Sequence, residues 1–150
     1  MQAQMLAPAA VLVLWSLIML LWTAGTRFPA MAKSGIDLRQ AKRGGRGQDL
    51  EGVVPDSVQW KSHNYTHLME QPTIFYPTVI MLAVMGPGAL DVAMAWAYVF
   101  IRIVHSIWQA TVNVVAIRFA LFILATSCLA ALAVRAVLAT LLHDPSVVTG

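Results

Sequence analysis

Apolar residues dominate four long stretches of this chain, and polar residues gather between them. The hydrocarbon core of a bilayer is about 30 Å thick and a helix rises about 1.5 Å per residue, so one crossing takes roughly 20 largely apolar residues. The first stretch, 5–24, is free of charge. The second spans Met69 to Met85, and its helix extends back to Val58 because polar residues continue there at helical spacing. The turn sequence Met85-Gly86-Pro87-Gly88 separates it from the third helix, 89–109. A fourth helix covers 115–142 and stops before Asp144-Pro145, where proline forbids continuation. One long loop, 25–57, remains. The pattern predicts an all-α membrane protein, a single domain built as a four-transmembrane-helix bundle over 1–150.

Composition agrees. Of the 150 residues, 59% are hydrophobic and 11% charged, too apolar a balance for the surface of a soluble domain of this size. An N-terminal apolar run also raises the reading of a cleaved signal peptide, with Ala30-Met31-Ala32 as small residues for cleavage. Against it, residues 1–10 carry no Lys or Arg and the run exceeds a usual signal core. The single cysteine, Cys128, lies mid-helix and has no partner within the chain.

Charge sets the orientation. The long loop holds Arg27, Lys33, Arg39, Lys42, Arg43 and Arg46 against Asp37, Asp49, Glu51 and Asp56, whereas the Pro87-Gly88 turn has no cation. Positive loops stay cytoplasmic, which places the long loop and the connection near Asn113 inside and both termini outside. The same cations attract anionic lipid, and nucleic acid is not an expected partner. Gly44-Gly45-Arg46-Gly47 lacks the lysine and hydroxyl residue of a phosphate-binding loop and reads as flexible linker. The sequon Asn64-Tyr65-Thr66 falls on the cytoplasmic side and is discounted.

Ionisable residues at membrane depth mark a functional site or a buried pair. On the third helix Asp91, Tyr98, Arg102, His105 and Gln109 follow spacings of seven, four, three and four, which puts them on one face. Val92, Val99, Ile103 and Ile107 form the lipid-compatible remainder. On the second helix His63, His67 and Glu70 make a similar stripe, and the fourth brings Arg118 at its start and Arg135 near its end. The helical rise puts Arg102 about 20 Å and Glu70 about 22 Å from the outer ends of their helices, close to the level where Arg118 begins the fourth. Their net positive charge predicts an anion site open to the cytoplasm. The competing structural reading has Glu70 bridging Arg102 or Arg118 simply to hold the bundle. A metal shared by His63, His67 and Glu70 is disfavoured by the arginines, and Arg135 is expected to snorkel to the outer interface. Ser127 and Cys128 have no base at helical spacing, and Trp15, Trp22 and Trp60 read as packing and interface anchors.

The run from Asn64 through His67, Glu70 and Gln71 to Tyr76 resembles the second-helix signature of the MAPEG family, membrane-associated proteins in eicosanoid and glutathione metabolism, and its bacterial branch in particular. Arg102-x-x-His105 is similar to that family's third-helix segment, and Asn113 to Arg118 resembles its entry to the fourth helix. The resemblance implies a left-handed bundle assembling as a homotrimer in a bacterial inner membrane, with glutathione held between subunits near the cytoplasmic face. It implies transferase or peroxidase activity on lipophilic small molecules. Arg102 and Arg118 would then be catalytic, and His63, His67, Glu70, Arg102, His105 and Arg118 would bind glutathione, with no metal.

Departures from the family pattern keep an alternative open. His63 and His67 stand where an arginine and an asparagine are expected. Gln109 replaces a tyrosine, and Phe119 and Phe122 replace hydroxyl residues. These changes favour a non-catalytic membrane subunit that binds lipid or a larger membrane complex. A small transporter is the least favoured reading, because the chain shows neither an inverted repeat nor a pair of broken helices.

Overall fold

A computed structural model describes residues 1–142 of the chain; the Asp144-Pro145 stop lies outside them. Five helices build four candidate spans: α1 (Gln2–Lys33), α2 (Asp56–Leu68) with α3 (Pro72–Met85), α4 (Ala89–Thr111) and α5 (Val115–Leu141). Large apolar side chains such as Leu21, Val84, Phe100 and Leu141 stand exposed around the outside. Water would not tolerate such a surface, and acyl chains do. The protein is an integral, multi-pass membrane protein.

The first helix is longer than expected. It runs past Ala24 and through Pro29 to Lys33, so the connecting segment begins at Ser34 and Arg27 is helical. At 32 residues it is about 48 Å long and must emerge from the hydrocarbon core. Contacts with α2 hold the extra turns. Thr23 Oγ1 donates to the Lys61 carbonyl (3.0 Å), and the Lys61 ammonium sits 5.2 Å from the Trp22 ring centroid.

The second span is not one helix. Residues 69–71 form turns between α2 and α3 because Pro72 brings no N–H and its ring would clash with the Leu68 carbonyl. Proline is well placed at the first position of the new helix. The break redirects the chain: α2 packs on α1 and α4, and α3 on α1 and α5. Glu70 therefore sits on the break, not within a helical stripe.

Gly86 closes α3 with φ 88°, a left-handed conformation that favours glycine. Three residues, 112–114, join α4 to α5. In the core, Met5, Leu12 and Met19 of α1 repeat every seven residues and share one buried cluster with Phe75 and Val79 of α3 and Leu129 and Leu132 of α5. The Tyr98 ring stacks on Phe75 at 4.3 Å. Val99 belongs to this core at 1% exposure, so it is no part of the lipid-facing side of α4. Close helix packing on two flanks of α4 leaves a narrower lipid face than the spacing alone suggests.

Arg135 does not snorkel freely. Its guanidinium pairs with the buried Asp91 carboxylate, which also accepts from the Gly88 N–H (2.8 Å). The pair joins α5 to the start of α4 at the end of the bundle where the chain begins.

Candidate functional site

At the other end, where the 34–55 segment connects α1 to α2, the bundle encloses an open cleft of about 710 Å³. Such a volume falls in the usual range for small-molecule sites. Arg118 enters it from α5, where its Nη1 donates to Asn113 Oδ1 (2.7 Å) across the α4–α5 connection. Asn113 adopts φ 55°, a left-handed conformation asparagine tolerates. His63 and His67 line the cleft from α2, and Glu70 from the break beyond it. His63 Nε2 lies 3.0 Å from Glu51 Oε1, and His67 Nδ1 lies 2.7 Å from Glu70 Oε2.

Arg102 and His105 are elsewhere than expected. Both are buried, at 0% and 1% exposure, and neither lines the main cleft. Arg102 Nη2 donates to the His67 carbonyl (3.0 Å), and its Nη1 is 3.4 Å from His67 Nε2. His67 thus covers the Arg102 guanidinium. His105 packs beside it, with ring centroids 5.2 Å apart, and faces a second, smaller cavity.

The carboxylate bridge anticipated for the arginines does not form. The Glu70 side chain is 61% exposed and engages His67, not Arg102 or Arg118. Among the described residues, neither of those arginines lies within ion-pair distance of a carboxylate. Glu70 lies in the turns at 69–71, with its side chain directed to His67 and to solvent.

Arg27 and Arg46 also line the cleft, although the sequence marks them only as topology signals and lipid-attracting cations, with Arg46 in a linker. Arg27 Nη2 donates to Ser62 Oγ (2.7 Å), Gln59 Oε1 (3.1 Å) and the Gly47 carbonyl (3.3 Å), all neutral. A Cβ at Gly47 would lie 2.7 Å from Arg27 Nη1. Gly47, the last residue of the glycine run, is therefore packed against α1, and with Arg46 it forms part of the cleft wall, which corrects the linker reading at that end of the run. The available signal was Arg27 itself, the first cation after an apolar run.

Hydroxyl groups reach the cleft from a helix that the family comparison did not suggest: Ser62, Tyr65 and Thr66 of α2 line it, beside Gln109 of α4. The buried Gln109 Oε1 has no hydrogen-bond partner within the protein. Asn64 is not available for modification, because it is 1% exposed and donates to Ser106 Oγ (2.8 Å), which also accepts from the Trp15 indole.

A sequence model of the MAPEG family matches residues 5–138, nearly the whole described chain. The chain belongs to the MAPEG family. No curated protein and no solved structure matches it. MAPEG proteins are membrane bundles and include glutathione transferases and peroxidases as well as non-catalytic members. Membership therefore leaves the chemistry to be argued from the cleft.

Proposed function

We propose that the protein, assembled as a homotrimer of single-domain subunits, binds glutathione in the loop-end cleft and presents its thiol to lipophilic molecules from the bilayer, as a transferase or peroxidase. One observation carries the reading: Arg27, Arg46 and Arg118 line a single cleft, in which the Arg27 and Arg118 guanidiniums donate only to neutral acceptors. Glutathione fits that donor set. Its two carboxylates match guanidinium forks bidentately, and its ammonium matches Glu70. Gln109 Oε1, buried without a partner, can accept a peptide N–H of the ligand.

When bound, glutathione supplies the thiol. The protein's own residues hold its charged ends and favour the thiolate by nearby positive charge, Arg118 directly and Arg102 from behind His67. In this reading the loop end faces the cytoplasm of a bacterial cell, as the cluster of basic residues there favours. Thermal unfolding of the detergent-solubilised protein tests the proposal. Glutathione at 100 times its dissociation constant stabilises by about 2.7 kcal/mol, and Arg118→Ala removes the shift. No shift in wild type at millimolar glutathione overturns it.

A second reading rests on Gln109, Phe119 and Phe122. With amide and aromatic groups at the expected hydroxyl positions, the chain would serve as a non-catalytic membrane subunit in a larger complex. Co-purification with a larger assembly supports that reading; a free trimer that turns over glutathione opposes it.

A further inference from the structure

Two glycines bracket the part of the connecting segment that walls the cleft. Gly44 (φ 78°) and Gly52 (φ 75°) hold left-handed conformations, and a Cβ at either would meet nothing within 4 Å. Glycines with open space around them can absorb the backbone rotation of a swinging segment. Between them, residues 47–50 form a 3-10 turn stapled from within. The Arg46 N–H donates to Asp49 Oδ2 (2.8 Å), and the Asp49 N–H donates back to the Arg46 carbonyl (3.0 Å). Residues 45–51 thus have the build of a strap that moves as one piece, and it carries Arg46, Gly47 and Gln48 to the cleft wall.

Among the described residues, two side-chain links join this strap to α2. Gln59 Nε2 donates to the Gly47 carbonyl at 3.4 Å, and Glu51 Oε1 meets His63 Nε2 at 3.0 Å. Only the second can change its charge. His63 lines the cleft and also a small cavity of about 170 Å³ on the other side of it. On the cleft side Arg27, Arg46, His67, Glu70 and Arg118 share the space with His63; on the small-cavity side Glu51 and Asp56 do. Of these groups, Glu51 alone lies within ion-pair distance of the imidazole.

We propose that Glu51 and His63 form a proton-controlled latch that holds the 45–51 strap on α2, so that the Arg46 side of the cleft is firm when His63 is charged and loosens when it is neutral. An imidazole is the side chain that ordinarily changes charge between pH 5 and 8, where a carboxylate stays ionised. With its proton, His63 gives Glu51 a charge-assisted hydrogen bond; without it, the bond is a weaker neutral one. The sign follows: the latch is strongest on the acid side of that window and weakens as pH rises. Its strength is bounded too. The two side chains are 46% and 59% exposed, and exposed pairs contribute a few-fold at most. Glu51 is therefore a positioning residue that acts through His63 and the strap. Control of glutathione binding rests on the functional reading above; the latch itself does not.

The test uses the full chain in nanodiscs at pH 6 and pH 8. Hydrogen exchange, corrected for the intrinsic effect of pH, reports strap protection without any ligand. Wild type is expected to show two- to fivefold greater protection over 45–51 at pH 6 than at pH 8. Glu51→Gln is expected to hold the pH 8 level at both, and Glu51→Asp to restore part of the difference, a rescue that the loss of a neutral contact would not give. Titration with S-methylglutathione, which has no thiol to ionise, is expected to show a matching two- to fivefold tighter binding at pH 6, lost in Glu51→Gln although His63 is still present. Thermal unfolding checks that each variant is folded, and the wild-type exchange comparison stands without them. Equal wild-type protection at the two pH values, or an unchanged ratio in folded Glu51→Gln, overturns the latch. A pH-dependent strap with pH-independent binding overturns its control of the cleft. Failure of S-methylglutathione to bind at either pH counts against the glutathione reading instead, and exchange then decides the latch alone.

Discussion

Where the chain begins, Arg135 meets a buried carboxylate, Asp91, and the pair ties α5 to α4. At the other end Arg102 and Arg118 meet a histidine, a carbonyl and an asparagine, and the nearest intramembrane carboxylate, Glu70, turns outward. The same residue types thus end in opposite states within one bundle. A closed pair is a fastening: its charges are spent on each other, and it can bind nothing more. Guanidiniums satisfied only by neutral acceptors keep their field, and in a low-dielectric setting that field is strong enough to hold an anion. Not every intramembrane charge is therefore a functional signal. The geometry of its partner decides.

The largest expected effect comes from opening the closed end. Arg135→Leu strands the Asp91 carboxylate and is expected to lower the thermal midpoint by roughly 5–10 °C, with most of the loss recovered in Asp91→Leu/Arg135→Leu. Thermal scans of the single and double variants measure this, and a neutral single variant would remove the contrast between the two ends.

Arg118→Ala at the open end should do the reverse, leaving stability within about 0.5 kcal/mol while weakening glutathione at least tenfold. Calorimetric titration alongside unfolding separates the two quantities. If Arg118→Ala destabilises as much as Arg135→Leu, the open end is structural after all.

A milder effect is expected of Pro72→Ala, which permits α2 and α3 to join and would swing Glu70 toward α4. If the carboxylate then neutralises Arg102 or Arg118, glutathione affinity falls several-fold, and hydrogen exchange at 69–71 slows as new helical bonds form. Faster exchange with unchanged affinity would show that the break does not set the position of Glu70.

Gly47→Ala is expected to be the smallest. The added methyl pushes the Arg27 guanidinium aside, costing stability less than about 1 kcal/mol and binding a few-fold. Isothermal titration at two salt concentrations checks it, because the charge contribution is screened as ionic strength rises.

How far the sequence carried this reading differs by element. The ends of α4 and α5 were legible within two residues, since glycine, proline and the length of the apolar runs mark them. The face carrying Asp91, Tyr98, Arg102, His105 and Gln109 was legible too, and all five side chains are buried. The end of α1 was not, because its last turns are held by Lys61, Gln59 and Ser62 on another helix, which no local pattern reports. Nor was the place of Arg27 and Gly47 in the cleft, which depends on how the connecting segment folds back.

Sequence alone determined that this chain lives in lipid, how many times it crosses, and which family it belongs to. Those properties follow from apolar run length and from residue spacing along single helices, both one-dimensional quantities. Tertiary structure decided which arginine is neutralised and which is not, that His67 covers Arg102, and that two phenylalanines and two histidines line a second cavity. Each of those is a relation between different helices, set by a proline break and by packing angles, and a charge acquires its role only when its neighbours across the bundle are known.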